Sequence, residues 1–286
     1  MTPRGPRVAA AIVMVLLLCG ATLTSDVSHR SALRPVHDGD RMLVVLVIGS
    51  DIGPPYRDGD PRRGNADAVH LVATDTVARR VTVVDIPRDA LVGGRKVNSH
   101  LVLGGPERLR AQLEDYTGIT IDHWMLTSFR GFERVTEALG GIDVVAERRM
   151  RDDASKSDFE PGPQRVEGAD ALAFARDRHS LPDGDIGRSR HQGDLLVGAH
   201  RRVAAGDIGL PRLVRLAGML ARHTVTDLGP GELLRLTLLA ARIDPADVRQ
   251  DSLTGTLGFA GAASVVHLRP RGAFARIRAG QVGPRD

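Results

Sequence analysis

The run Met42-Leu43-Val44-Val45-Leu46-Val47-Ile48, closed by Gly49, restricts the fold of this chain more than any other feature. It is too short for a typical helix, largely β-branched, and shows no alternation with polar residues. It reads as a strand buried on both faces. Such a strand needs helices above and below it, and the following sequence supplies them. Ala68–Ala73 and Val81–Ile86 read as second and third strands, joined by a turn that begins at Thr74-Asp75. Leu109, Leu113 and Tyr116 lie at helical spacing between Pro106 and Gly118, a start and a stop signal. Ile119–Leu126 reads as a strand, Phe129–Leu139 as a helix closed by Gly140-Gly141, and Ile142–Val145 as a strand. Val166–Arg178 and Gly187–Ala204 read as helices flanking a polar loop, and Leu210–Ala221 and Pro230–Arg242 as amphipathic helices. Asp247–Leu253 and Ser264–Leu268 read as strands and Gly272–Ala279 as a last short helix. This alternation predicts an α/β domain whose sheet is covered on both faces. No repeat or low-complexity linker follows residue 41, so one domain is expected.

Ahead of that body, Arg4 and Arg7 precede a charge-free run, Val8 to Leu23. At helical rise the run spans roughly 24 Å against a hydrocarbon core of about 30 Å, between a signal peptide and a signal anchor. The arginines lie before it, which predicts the N-terminus inside and the bulk outside. No small-x-small cleavage site stands out, so an uncleaved anchor is the favoured reading. The expected segments are residues 1–7 in the cytoplasm, 8–24 across the membrane and 25–41 as a polar stalk. A core at 42–203 and a C-terminal extension at 204–286, packed on the same domain, complete the chain.

Composition removes several functions. A single cysteine excludes intramolecular disulfides and Cys-paired zinc sites. Aromatic residues at 3% give no stacking platform for single-stranded nucleic acid. A pI near 9.9 suits an anionic partner, yet Lys96 and Lys156 are the only lysines. The excess of Arg has two open readings: codon bias, or a side chain chosen for its phosphate-binding fork.

Ligand sites in open α/β sheets gather beyond the carboxyl ends of strands. The first strand ends in Gly49-Ser50-Asp51, and the third in Pro87-Arg88-Asp89 with Lys96 and Asn98 following. An antiparallel second strand brings Asp67 to the same edge. Asp51 and Asp67 with Arg88 and Lys96 suit a divalent cation holding a phosphorylated ligand: carboxylates for the hard metal, arginine for the oxygens. The plainer reading has both Asp residues capping turns and Arg88 paired with Asp89. A second cluster runs from Arg176-Asp177-Arg178 through Asp183-Gly184-Asp185 to Arg188, His191 and Gln192. It is either a solvated salt-bridge face or a loop entering a helix N-terminus, where anions are favoured.

Seven blocks in order then carry a resemblance. They are Val47-Ile48-Gly49-Ser50-Asp51, Asn65-Ala66-Asp67-Ala68, Asp85-Ile86-Pro87-Arg88-Asp89, Lys96-Val97-Asn98, Gly140-Gly141-Ile142-Asp143-Val144, Ala175-Arg176-Asp177-Arg178-His179, and Gly184-Asp185-Ile186-Gly187-Arg188 with His191-Gln192. Together the chain resembles the LytR-CpsA-Psr family over about residues 42–203. The resemblance implies a three-layer α-β-α sandwich with a mixed central sheet and an aliphatic pocket for a polyprenyl tail. It implies an extracytoplasmic, membrane-anchored phosphotransferase. Such an enzyme moves a glycopolymer (teichoic acid, capsule or arabinogalactan) from a polyprenyl pyrophosphate carrier onto peptidoglycan. By motif position Asp51 and Asp67 hold Mg²⁺, and Arg88, Lys96, Arg176, Arg178, Arg188 and Gln192 bind the pyrophosphate. Asp67, Arg88 and Asp185 are the catalytic set, with Asp185 orienting the arginines or assisting proton removal. Asp143, although inside a matching block, reads as a structural turn residue.

Two positions depart from the family pattern. Asn65 stands where the family usually has Arg, with Arg62 and Arg63 nearby as substitutes, and His191 stands where Arg commonly precedes the Gln. Losing one charge-assisted contact costs about 1.5–3 kcal/mol, so a binding paralogue without transfer stays an alternative, as does a lipid pyrophosphatase. A transcriptional regulator is disfavoured by the expected anchor and by the lack of a basic helix-turn-helix.

Overall fold

In the computed structural model, residues 41–53, 59–205, 209–269 and 272–284 are described. The expected cytoplasmic segment and anchor, and all but the last residue of the expected stalk, lie outside them. Among the described residues no helix is long and apolar enough to cross a membrane.

The aliphatic run forms β1 (Met42–Ser50), which pairs antiparallel with β2 (Ala66–Asp75), itself antiparallel to β3 (Arg80–Asp85). Two short strands follow, β4 (Leu91–Val92) and β5 (Arg95–Lys96), then α1 (Val97–Thr117) and β6 (His123–Ser128), which returns parallel to β1. Next come α2 (Phe129–Leu139), β7 (Ile142–Ala146), β8 (Met150–Asp152), β9 (Ser157–Phe159), β10 (Gly162–Val166) and α3 (Gly168–Arg176). The chain continues through α4 (Asp185–Ala204), α5 (Leu210–His223), β11 (Thr224–Thr226), α6 (Pro230–Ala240) and β12 (Val248–Ser252). A hairpin of β13 (Thr254–Ala260) and β14 (Ala263–Arg269) precedes α7 (Ala273–Arg278).

The central sheet has the order β11-β6-β1-β2-β3-β12 and mixes parallel with antiparallel pairs. Alternation along β2 assigns its faces. Val69, Leu71 and Ala73 pack with Leu101, Leu109 and Leu113 of α1 and with Phe274 and Ile277 of α7. On the opposite face Val72 joins Val81 and Val83 of β3 against Val197 of α4. A further apolar cluster joins α2, α3, α4 and α5 to β7 through Leu139, Val144, Phe174, Leu195 and Leu216. The fold is the expected α-β-α sandwich.

Several elements differ from the expected bounds. Helix α1 begins at Val97 and is broken at Gly104 and Gly105, whose φ values are −175° and 73°. Only its second half, after Pro106, shows a helical start signal. Strand β6 begins at His123 because Asp122 brackets the preceding chain: its backbone N–H donates to Val44 O at 2.9 Å, and its Oδ2 accepts from Val44 N at 2.7 Å. Asp143 is not in a turn. It lies within β7, exposed, 3.3 Å from Arg165 of the paired β10.

Candidate active site

Because β2 runs antiparallel to both β1 and β3, the carboxyl ends of β1, β3, β6 and β12 share one edge of the sheet. A register irregularity between Gly49 and Ser50 places Asp67 at that edge. Here Arg88, just past β3, donates from Nη1 to Asp67 Oδ1, and Arg188 of α4 donates from its own Nη1 to the same oxygen at 3.3 Å. Arg188 Nη2 also bonds Asp185 Oδ1 one turn back. Asp185 Oδ2 accepts the backbone N–H of Asp89 at 3.2 Å, and Lys96 Nζ lies 3.2 Å from Asp89 Oδ2. Arg88, Lys96, Asp67, Asp185 and Arg188 therefore form one network, drawn from β2, the segment after β3, β5 and the first turn of α4. The turn into α4 uses Gly184 at φ 53°, a left-handed conformation that favours glycine.

The network has donors left over. Arg188 is buried, and the Nε atoms of both Arg88 and Arg188 are buried without a hydrogen-bond partner. Burial opposes the Arg88 charge, but Asp67, Asp185 and Asp89 outweigh it and hold the guanidinium above its ordinary value. Arg88 is thus a fixed cation, and both arginines keep an unspent N–H group, the arrangement an anionic ligand completes. Arg88 does not pair chiefly with Asp89, whose carboxylate is 3.9 Å away.

The second cluster divides. Helix α3 ends at Arg176, and Asp177 turns extended, fully buried, accepting from Ser157 Oγ at 2.7 Å and Ser180 N at 3.1 Å. Arg176 and Arg178 leave on the other side. Arg176 lies over the Phe129 ring, 4.7 Å from its centroid. Arg178 is exposed, and no contact among the described residues draws it to the network. Gln192 spends its amide N–H groups on Asp67 O (3.2 Å) and Ala175 O (3.0 Å), so it clamps β2 and α3 to α4 rather than presenting both donors to a ligand. His191 points elsewhere: it is buried, stacked on Phe174 at 4.8 Å, with neither ring nitrogen bonded. Burial, then Arg190, lowers its pKa, so it supplies no charge at neutral pH.

Asn65 has a defined task. Its backbone N–H and side-chain Nδ2 donate to Asp51 Oδ1 and Oδ2 at 2.8 and 3.0 Å, and Asp51 N returns a bond to Asn65 O at 3.1 Å. Arg62 does not replace the missing arginine, since its Nε lies 3.0 Å from both Asp60 oxygens at the surface. Among the described residues no group of three or more His, Cys, Asp or Glu could cage a metal. Mg²⁺ takes one or two carboxylates and completes its shell with phosphate oxygens and water; of the two carboxylates expected to hold it, Asp51 is bonded by Asn65 through both oxygens and Asp67 by Arg88 and Arg188 through Oδ1.

Beside the network lies an apolar cleft between the sheet and α2–α4. Val47, Phe132, Leu172, Leu195 and Leu196 form walls, and Asp67, Arg176 and Gln192 bring polar groups to it. His70 also lines it. No motif in the sequence marks this residue; its one signal is a histidine set between Val69 and Leu71 in a buried strand.

Comparison with known proteins follows the same lines. A family model described as the LytR_cpsA_psr family matches residues 21–271. The cell wall biosynthesis protein LcpA of Corynebacterium glutamicum is 28% identical over 247 residues, 68% of this chain and 47% of LcpA. The chain thus spans about half the length of that relative. The polyisoprenyl-teichoic acid–peptidoglycan teichoic acid transferase TagU of Enterococcus faecalis is 27% identical over 266 residues, 86% of each chain. Among solved structures, B. subtilis TagV superposes with a TM-score of 0.69 at 22% identity, over 84% of this chain and 95% of TagV, a likeness of fold.

Proposed function

Since this chain belongs to the LytR-CpsA-Psr family, we propose that it is an extracytoplasmic phosphotransferase that moves a glycopolymer from a polyprenyl pyrophosphate carrier onto peptidoglycan. One observation carries the reading: a buried Arg188 and a half-buried Arg88, locked to Asp67 and Asp185 with unbonded Nε groups, stand beside an apolar cleft. A charged head and a long apolar tail on one ligand match that juxtaposition. TagU, by its name, transfers teichoic acid between polyisoprenyl-teichoic acid and peptidoglycan.

In this scheme the acceptor hydroxyl attacks the sugar-side phosphorus and polyprenyl phosphate leaves. Positioning and charge neutralisation carry most of the rate in phosphoryl transfer. Arg88 and Arg188 hold pyrophosphate oxygens, and Asp67 fixes both guanidinium planes. Arg176 and Lys96 extend the positive rim, while Arg178 is free to reach a ligand from the surface. Asp185 orients Arg188 and, in this scheme, assists removal of the acceptor proton. Asp51, held by Asn65, and Asp67 would hold Mg²⁺, which when bound neutralises charge on the pyrophosphate. Residues 8–24 would anchor the body to the outer face of the membrane.

A second reading, carrier binding without transfer, draws on Asn65 and His191, neither of which brings a guanidinium to the network. One experiment separates the two: the full chain in nanodiscs, a radiolabelled polyprenyl-pyrophosphate oligosaccharide and peptidoglycan fragments, with and without chelator, beside Asp67→Ala. Label on peptidoglycan, lost in the variant, is the expected result. Label released as free sugar phosphate would indicate a lipid pyrophosphatase, and carrier retained unchanged would indicate binding alone.

A further inference from the structure

Strand β2 carries one polar side chain into the cleft that the transfer scheme leaves without a task. His70 lies directly across from Asp85 of β3, with Nδ1 2.9 Å from Asp85 Oδ1. A carboxylate only accepts, so Nδ1 is the donor and the ring orientation is set. Asp85 is fully buried, and its Oδ2 accepts from Gln250 Nε2 at 2.7 Å and Ser252 Oγ at 2.6 Å, both on β12. Helix α4 crosses so close that a Cβ on Gly193 would stand 2.1 Å from Asp85 Oδ1. Four elements therefore converge to hold one imidazole. Its other nitrogen, Nε2, is buried and unbonded, while the ring lines the cleft shared with Asp67, Arg176 and Gln192. Leaving such a group unbonded forfeits its hydration with no bond in exchange, a cost that a Leu or Val on the same wall would avoid.

We propose that His70 is a ligand-binding residue: with Nδ1 held by Asp85, its Nε2 bonds an oxygen of the lipid-side phosphate of a carrier seated in the cleft. The proposal rests on the transferase reading for the carrier itself and adds which phosphate is held, and by what. In-line transfer puts the incoming hydroxyl and the lipid phosphate on opposite sides of the reacting phosphorus. The apolar walls take the lipid, so a residue on those walls stands on the leaving side. To donate from Nε2 while Nδ1 bonds Asp85, the ring must be an imidazolium. The Asp85 carboxylate balances that charge in place. Asp194 of α4 lies beside Asp85, its carboxyl pushed up to about 6 by burial and then by Asp85; it is mostly ionised at pH 7, and its negative charge there also favours the imidazolium.

The test uses the full chain in nanodiscs with ¹⁵N-labelled histidine, titrated with geranylgeranyl pyrophosphate and, separately, with geranylgeraniol. The expected result is a move of the His70 ring nitrogens to the imidazolium pattern with the pyrophosphate and no move with the alcohol. His70→Leu should weaken pyrophosphate binding about tenfold or more and spare alcohol binding, with His70→Gln intermediate. Tight pyrophosphate binding by the wild type with silent His70 nitrogens, or equal binding by His70→Leu, would overturn this assignment and leave the transferase reading standing. Failure of the wild type to bind the pyrophosphate at all would overturn both.

Discussion

Arg188 touches two carboxylates at once, Asp67 through Nη1 and Asp185 through Nη2. A lysine keeps the charge but not the fork. Arg188→Lys is expected to lower transfer ten- to hundredfold, roughly one charge-assisted bond, with an unchanged far-ultraviolet circular dichroism spectrum. Asp194 offers a prediction of the opposite sign. Its carboxyl, at about 6 rather than the ordinary 3.8, is harder to ionise in the folded protein. That leaves full stability below pH 4 and drains it as pH rises through 6. Asp194→Asn should therefore stabilise the protein at pH 7.5 by up to about 3 kcal/mol and do nothing at pH 4, as read by urea denaturation at both values. Part of this scale was legible beforehand: strand ends brought Asp67 and Arg88 to one edge, and the family resemblance singled out Asp185. The Asn65 clamp and the burial of His191 were not, because sequence gives a residue's type and position but not the direction of its side chain.

At the scale of elements, the close passage of α4 over β3 depends on a missing side chain. Gly193→Ala would push into Asp85 and Gln250 and is expected to cost about 1–3 kcal/mol, seen as a lower thermal midpoint. Gly218, in α5, meets nothing within 4 Å of where its Cβ would sit. Gly218→Ala should raise the midpoint, by up to about 1 kcal/mol in stability. Long apolar elements declared themselves in sequence: β1 by its aliphatic run, α2 by its Gly140-Gly141 stop. The short strands β8, β9, β10 and β11 did not, because each is three to five residues of mixed polarity. Their strand geometry comes from partners elsewhere in the chain, which no local pattern records. The first half of α1 was hidden for a related reason. The break at Gly104-Gly105 lets two segments sit end to end, and only the second begins with a proline.

For the molecule as a whole, the sheet is not complete within residues 42–203. Strand β11 forms one edge and β12 the other, so the segment after 203 contributes to the same core as β1. A chain ending at residue 203 is expected to lack a cooperative unfolding transition and to be cleaved rapidly in limited proteolysis. The sequence order of strands and helices gave the α/β class, whereas the assignment of late strands to sheet edges needed the three-dimensional pairing.

The bonds from Gln250 and Ser252 to Asp85 join residues separated by 165 and 167 positions. Contacts of such separation form late and slow folding. Asp85, and through it the ring of His70, is locked only after β12 has been made. A product of premature termination would still carry Asp67, Arg88 and the motif arginines, yet its cleft would lack the support that β12 supplies. On the reading proposed above, the order of synthesis would deny a half-made protein the means to hold a lipid carrier.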